Sequence, residues 1–593
     1  MIRTPLRPLA RILTARAKGE NPDAIEKENL RQRHAEIQAR SQRRSEGRLL
    51  VLGVFFICAF GVIGLRMGVM STSEPTEPTS SASGSAIAAQ RADIVDREGR
   101  ILATNFETHS LYAHPQQLID STAAADALVK IFPDLDRERL LKDFSGKRKF
   151  VWIKKKISPE QKQAVHDIGD PGLLFGPREM RLYPNGSLAA HVLGGASFGK
   201  EDVDAAEVIG VAGVERQFDS YLRDPANGAE PLQLSLDLTI QAAAERVLYG
   251  GMRLMNAKGA TSILMDVHTG EVISVVSLPD FDPNERPRPL TTGDSSDSPL
   301  FNRAVQGVYE LGSTFKIFAA AQAIDLGLVN SDTMIDTRGP LRWGRFSIRD
   351  FHNYGNSLSV ERIIVKSSNI GTARLAQQIG AERQRDFLSR LGMLEATPFE
   401  ISEASGGRPL LPPNWSELSA MTISYGHGLS TSPMHLAAGY ATIANGGNYV
   451  SPTILKQDGP QLGPRVMSAE AAAASRDMLR MVVTEGTASF GEVPGYQVGG
   501  KTGTADKPKP SGGYYDDKVI ATFASMFPAH DPKYVLVVTL DEPSIIAYDE
   551  ERRTAGWTAV PVAAEMIGRI APLLGLRPQV EPATVTGITL TSN

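Results

Sequence analysis

Ser313 and Lys316, three residues apart in Tyr309-Glu310-Leu311-Gly312-Ser313-Thr314-Phe315-Lys316, form a pair whose types and spacing suggest chemistry. The stretch that follows, Ile317 to Leu326, is rich in Ala, Leu and Ile and ends at Gly327. It predicts a buried helix with Ser313 in its first turn, where Ser is favoured, and with Gly as its stop. Positions three apart share one helix face, so Lys316 would lie within reach of the Ser313 hydroxyl. A serine hydroxyl is a weak nucleophile at neutral pH and needs a base. Lysine serves as that base when burial or a second cation lowers its pKa. An ordinary helix cap beside a solvated lysine satisfies the same pattern. Ser197-Phe198-Gly199-Lys200 even repeats the spacing, but acidic Glu201 and Asp202 follow it and no apolar helix does.

Two further clusters lie downstream. In Lys366-Ser367-Ser368-Asn369, preceded by the helical stretch Arg362-Ile363-Ile364-Val365, the Ser367 hydroxyl would relay a proton. The Asn369 amide would hold a substrate carbonyl or amide. Ser and Asn at this place would equally mark a helix break. In Val498-Gly499-Gly500-Lys501-Thr502-Gly503-Thr504-Ala505, glycines within a strand suggest that something approaches the backbone closely. A strand beside a nucleophile offers N–H groups to a developing oxyanion. Lys501 would supply positive charge for a substrate carboxylate and help depress the pKa of Lys316. Gly-Lys-Thr also occurs in phosphate loops. That reading is set aside because the upstream Gly495 reads as one residue out of register and because the rest of the chain places these residues outside a membrane, where nucleotide is not supplied.

The elements that must position these residues belong to a long chain. Its 593 residues suggest two or three folded parts, and 42% hydrophobic with 22% charged residues is ordinary globular composition. The net charge of −4 argues neither for nor against nucleic acid. Residues 1–48 are basic, and the uncharged run from Leu49 to Leu65, continued to Met70 past a snorkelling Arg66, is long enough to cross a bilayer. The basic flank predicts a cytoplasmic N-terminus and an exported remainder, and explains the positive charge without nucleic acid. The lone Cys58 lies in this run, so the exported part has no thiol for a disulfide, a metal or a nucleophile. Residues 71–90, made of Ser, Thr, Pro, Glu and Ala, read as a tether. Order is expected from Arg91, with a turn at Asp96 to Gly99. His191, among small and apolar residues, reads as structural.

From Asp237 the pattern changes to a helix from Leu238 to about Met255. A hairpin of Ser262–Val267 and Glu271–Leu278 follows, then a second of Lys518–Phe527 and Tyr534–Leu540, and a closing helix from Pro561 to Ile570. Antiparallel strands at both ends with helices between and after predict an α+β domain over 237–576, behind a mixed α/β domain over 91–235. Residues 577–593, with Pro578, Pro582 and several Thr, read as a loose tail.

Ser-x-x-Lys, Ser-x-Asn and Lys-Thr-Gly in this order form the motif set of penicillin-binding proteins and class A β-lactamases. With the anchor, the chain resembles a class B penicillin-binding protein, a monofunctional D,D-transpeptidase, over nearly everything after Arg91. Supporting motifs are Asp96-Arg97-x-Gly99, Arg181-x-Tyr183-Pro184, Gly213-Val214-Glu215, Asp266-x-x-Thr269-Gly270-Glu271, Phe281-Asp282-Pro283-Asn284 and Asn302-Arg303-Ala304. Leu311 stands where the family usually has Pro, and Ala92 where it often has Gly. The resemblance implies a pedestal, dimerisation-like domain under a penicillin-binding transpeptidase domain. It also implies roles. Ser313 attacks the penultimate D-Ala carbonyl of a stem pentapeptide, Lys316 accepts its proton and Ser367 relays a proton to the leaving amine. Asn369 holds the donor peptide. Lys501, Thr502 and Thr504, around Gly503, bind the terminal carboxylate, and the N–H groups of Ser313 and Thr504 form an oxyanion hole. An amine from a neighbouring stem then resolves the acyl-enzyme, without metal or cofactor, and β-lactams are covalent inhibitors.

Asp350-Phe351-His352-Asn353-Tyr354, Ile423-Ser424-Tyr425-Gly426-His427-Gly428-Leu429 and Gly495-Tyr496-Gln497-Val498-Gly499-Gly500-Lys501 resemble the septal branch of the family more than the elongation branch. The septal branch implies an FtsW-type glycosyltransferase partner and other division proteins in the bacterial inner membrane, with the catalytic domain periplasmic. A membrane-anchored carboxypeptidase or β-lactam hydrolase would use the same three motifs, differing in whether water resolves the acyl-enzyme. A non-enzymatic β-lactam sensor would be expected to carry extra spans or a signalling domain.

Overall fold

The computed structural model describes residues 7–20, 27–28, 31, 35, 52–64, 91–201, 206–227, 230–397, 399–509 and 512–579. The chain divides into two units, Met1–Thr79 and Ser80–Asn593. In the first, Arg7–Ala17 and residues 52–64 are helical. No helix among the described residues is long and apolar enough to cross a membrane. The rest of the expected span, 49–51 and 65–70, and the linker at 71–90 lie outside the described residues.

The second unit begins with a sheet built on the long strand Ile101–Ala113, which pairs antiparallel with Val151–Ile157 and Leu173–Leu182. Ile94–Val95 pairs with the start of that strand and, in parallel, with Leu232–Gln233. The expected turn joins Ile94–Val95 to Ile101: the Asp96 carboxylate accepts the N–H groups of Glu98 and Arg100, an Asx turn. Helices Ser121–Ile131 and Arg137–Ser145, capped by Asp120 and Asp136, close a small separate core around Leu111, Leu128, Phe144 and Val165. A buried ionic knot fixes the strand ends. Glu215, fully buried, receives Arg91 at 2.7 Å, Arg181 at 2.6 Å and the Tyr183 hydroxyl at 3.2 Å.

The remainder is organised on one antiparallel sheet of β1 (Gly259–Asp266), β2 (Val272–Leu278), β3 (Gly499–Pro508), β4 (Tyr514–Phe527) and β5 (Tyr534–Asp541). Its order is β3-β4-β5-β1-β2, so the Lys-Thr-Gly strand β3 is an edge. Every residue of β1 through Met265 is buried, which requires cover on both faces. Leu238–Leu254, capped by Asp237, and Ala559–Leu573 pack together on the sheet. Pro433–Ala444 packs against β1, β4 and β5 and is buried at all of its positions, as a helix apolar on every side must be. The two parts of this unit are stitched by the family motifs. Asn284 donates to the Tyr183 carbonyl and accepts its N–H, and Arg97 meets Glu271 at 3.4 Å. Residues 577–579 lie against the Gly495 turn, where the Gln579 N–H donates to the Gly495 carbonyl at 2.8 Å, and 580–593 lie outside the described residues.

Candidate active site

The Ser313 segment departs from the expected α-helical turn. Gly312–Phe315 is a 3-10 turn, and the α-helix begins at Lys316 and runs to Asp325. In a 3-10 turn, positions three apart eclipse each other, so the tighter geometry stacks Lys316 more directly over Ser313 than an α-helix would. The turn is held from behind by the buried helix Pro433–Ala444, whose Tyr440 hydroxyl donates to the Thr314 carbonyl at 2.8 Å. Its other side meets β3. A Cβ on Gly312, whose φ is +56°, would come 2.8 Å from the Thr504 carbonyl oxygen, and one on Gly503 would come 2.2 Å from that of Leu311. Two glycines thus let strand and turn touch backbone to backbone, as the glycines of this segment predict. That contact puts the Lys-Thr-Gly strand beside Ser313.

Ser367 completes the arrangement. The helix Val360–Lys366 ends at Ser367, whose φ of 60° and ψ of 44° are left-handed, a costly conformation for a residue with a side chain. The next helix, Asn369–Ile379, starts immediately, with Ser368 as its cap. Ser-x-Asn therefore does mark a helix break, and the break is what aims Ser367. Its hydroxyl accepts from Lys316 Nζ at 3.0 Å and from Lys501 Nζ at 3.0 Å, while its carbonyl accepts from Lys316 at 2.5 Å. Both lysines are buried, and among the described residues neither has a carboxylate within ion-pair distance. Burial, and after it the Lys501 charge, pulls the Lys316 pKa well below its ordinary value, with Asp350 opposing. Burial brings Lys501 down to about 7.

The remaining predicted residues line the same place. Asn369 donates its Nδ2 to the Arg349 carbonyl at 3.0 Å. The Thr502 hydroxyl lies 2.6 Å from that of Thr487, and the Thr504 hydroxyl accepts the Ala555 N–H at 3.0 Å. A hydroxyl that accepts in this way keeps its own proton to donate to a carboxylate. Ser197, by contrast, lies in the strand Gly195–Glu201 and not at the head of a helix. Contrary to the out-of-register reading of Gly495, residues Gly495 to Thr502 satisfy the Gly-x-x-x-x-Gly-Lys-Thr spacing of a phosphate loop, but Lys501 and Thr502 sit inside β3, whereas that loop must open a helix. His191 is structural: its Nε2 pairs with the Pro279 carbonyl at 3.1 Å, and burial lowers its pKa to about 4.

Sequence reasoning missed two supports. Asp350 accepts from the Ser368 hydroxyl at 2.7 Å and from the N–H groups of Asn369 and Ile370 at 2.6 and 3.0 Å, capping the helix that carries Asn369. Glu310 accepts the Gly428 N–H at 2.7 Å and the Tyr514 hydroxyl at 3.1 Å, and meets His427 Nδ1 at 3.0 Å. Both carboxylates belong to motifs legible in the sequence, and their partners lie too far along the chain to be paired by spacing.

Comparison with known proteins is consistent along the chain. Residues 260–567 match the penicillin binding protein transpeptidase domain, and residues 86–231 match the penicillin-binding protein dimerisation domain. The probable peptidoglycan D,D-transpeptidase FtsI of Caulobacter vibrioides is 33% identical over 570 residues, covering 93% of each chain. Peptidoglycan D,D-transpeptidase FtsI of Escherichia coli is 28% identical, covering 83% of this chain and 85% of that protein. The crystal structure of penicillin binding protein 3 of Mycobacterium tuberculosis, complexed with aztreonam, superposes with a TM-score of 0.62 at 26% identity, over 84% of this chain and 98% of that one.

Proposed function

The chain belongs to the class B penicillin-binding proteins, peptidoglycan D,D-transpeptidases with a dimerisation domain, and from that premise we propose a residue-level mechanism and a septal role. Ser313 is the nucleophile. Lys316, whose pKa burial pulls well below its ordinary value, takes the hydroxyl proton as Ser313 attacks the penultimate D-Ala carbonyl of a stem peptide. The N–H groups of Ser313 and Thr504, on the touching turn and strand, receive the oxyanion. Ser367, hydrogen-bonded to both lysines, passes the proton to the departing D-Ala amine. Lys501, Thr502 and Thr504, with Gly503 allowing the approach, receive the terminal carboxylate, and Asn369 holds the donor backbone. An amine from a second stem then displaces Ser313 and forms the cross-link.

The observation that carries this reading is the single hydroxyl of Ser367 bridging two buried lysines, 3.0 Å from each, beside the Ser313 turn. The septal role, a single-pass inner-membrane anchor with the catalytic domain periplasmic, and an FtsW-type partner rest on the relatives named FtsI, on the motifs quoted above and on the apolar run at 49–70. Intact-mass spectrometry of the protein with benzylpenicillin, followed by peptide mapping, tests the mechanism. A stable adduct on Ser313 is expected. Penicillin turnover without an adduct would make this a hydrolase, and neither adduct nor turnover in folded protein would remove the acyl-transfer reading.

A further inference from the structure

The mechanism above leaves one half of the reaction without a base. The acceptor amine reaches the acyl-enzyme as an ammonium, since alkyl amines are protonated near neutral pH. Among the described residues the buried centre holds two lysines and no paired carboxylate, so nothing there attracts an ammonium. Beside it sits a group of opposite character. His427 Nδ1 meets the Glu310 carboxylate at 3.0 Å, and among the described residues no hydrogen bond reaches its Nε2. The imidazole is 48% exposed, whereas Glu310 is nearly covered and receives two further donors, the Gly428 N–H and the Tyr514 hydroxyl. A carboxylate so supplied stays ionised and holds the proton on Nδ1, which leaves the lone pair on Nε2 facing away from Glu310. Both partners adjoin the nucleophile turn: Glu310 precedes Ser313 by three residues, and the Gly426 carbonyl accepts the Gly312 N–H at 3.3 Å.

We propose that His427, oriented by Glu310, is the catalytic base that takes the first proton from the acceptor ammonium during cross-linking, so that this dyad marks the acceptor side of the cleft. The proposal rests on the Ser313 acyl-enzyme argued above. The acceptor arrives as R–NH3+ and gives one proton to His427 Nε2, which passes it to bulk water. The amine forms the new C–N bond at the acyl carbon and gives a second proton to neutral Lys316. The C–Oγ bond then breaks, and Lys316 returns that proton to Ser313. One amide N–H, one serine hydroxyl and one released proton account for the three protons of the ammonium.

The charged and titratable groups around the imidazole are Glu310, Asp506 and Tyr514, whose ring centre lies 5.4 Å away, with Tyr425 facing Glu310. The hydrogen bond to Glu310 and the two carboxylate charges raise the His427 pKa above its ordinary value against the effect of burial. Negative charge at this rim attracts an ammonium, which the lysine pair does not.

The full-length protein in detergent, with N-benzoyl-D-alanylthioglycolate as donor and D-alanine as acceptor, tests this. Aminolysis and hydrolysis of the acyl-enzyme are read as a product ratio and acylation as benzylpenicillin labelling. His427→Gln is expected to lower the aminolysis-to-hydrolysis ratio tenfold or more beyond any fall in labelling, and to remove the limb of aminolysis that rises with pH above about 6.5. Glu310→Gln, which keeps most of the clasp, is expected to move that limb to lower pH, because the carboxylate that raises the His427 pKa is gone. An unchanged ratio, or labelling and aminolysis falling together, would make the dyad a structural clasp and overturn the proposal while leaving Ser313 in place. Absence of any Ser313 adduct in the unaltered protein would remove both readings.

Discussion

Two buried charge clusters in this molecule invite comparison. In the pedestal, Arg91 and Arg181 surround Glu215, with Asp219 2.7 Å from Arg91, so two cations face two carboxylates. In the transpeptidase domain, Lys316 and Lys501 share a serine hydroxyl and, among the described residues, no carboxylate. Burial is equal and the consequence opposite. Arginine cannot shed its proton in a protein, so a dry site must balance it, and the pedestal does so with short ion pairs. Lysine can shed its proton, so an unbalanced dry site turns it into a neutral amine. The first arrangement holds strands together; the second, in the mechanism proposed, stores a base.

The largest effect that tests this difference is the loss of Lys316. Lys316→Ala is expected to lower the rate of benzylpenicillin acylation about a thousandfold or more while leaving the melting temperature equal or higher, since an unfavourably buried amine is removed. Lys316→Arg should fall as far, because a guanidinium cannot accept the hydroxyl proton. Stopped-flow labelling and thermal unfolding of the same preparations give both numbers. An arginine variant acylating at a tenth of the normal rate would show that charge, not a free base, is what the position supplies.

Glu215→Ala is the mirror experiment. It leaves two arginines buried beside an empty carboxylate position, and removing one partner of such a cluster costs about 3–5 kcal/mol. The urea transition of the pedestal is expected to move by that amount, with acylation per folded molecule nearly unchanged. If acylation instead collapsed in protein whose unfolding transition had not moved, the knot would be part of the chemistry and the contrast would fail.

The sequence reveals the chemistry of one cluster better than the structural role of the other. Ser313, Lys316, Ser367 and Lys501 could be proposed together because their three short motifs, each weak alone, occur in the order of one motif set. The antiparallel hairpins and the long capped helix were legible because strand alternation and an Asp cap are local signals. Arg91, Arg181, Tyr183 and Glu215 were visible only as separate motifs, since their meeting depends on a fold that joins Glu215 to Arg91, 124 residues away, and to Arg181, 34 residues away. The 3-10 form of the nucleophile turn was not legible either. It follows from the close approach of Gly312 to β3, a tertiary contact that local helix preference does not report. Asp350 was missed for the same reason, because its loop and the helix it caps are separate elements.

Asp350 gives the smallest and most discriminating test, because its carboxylate opposes the lowering of the Lys316 pKa. A nearby negative charge favours the ammonium form, so removing it lowers the Lys316 pKa further. Neutral lysine is then available at lower pH. Asp350→Asn is therefore expected to shift the rising limb of acylation against pH downward. The amide oxygen still accepts the N–H groups of Asn369 and Ile370, but the charge at the helix N-terminus is lost and the contact with Ser368 must rearrange. That costs about 1 kcal/mol of stability. A limb moving upward would mean that the lysine pair is controlled by something other than the balance of charge around it, and the contrast with the pedestal knot would then rest on burial alone.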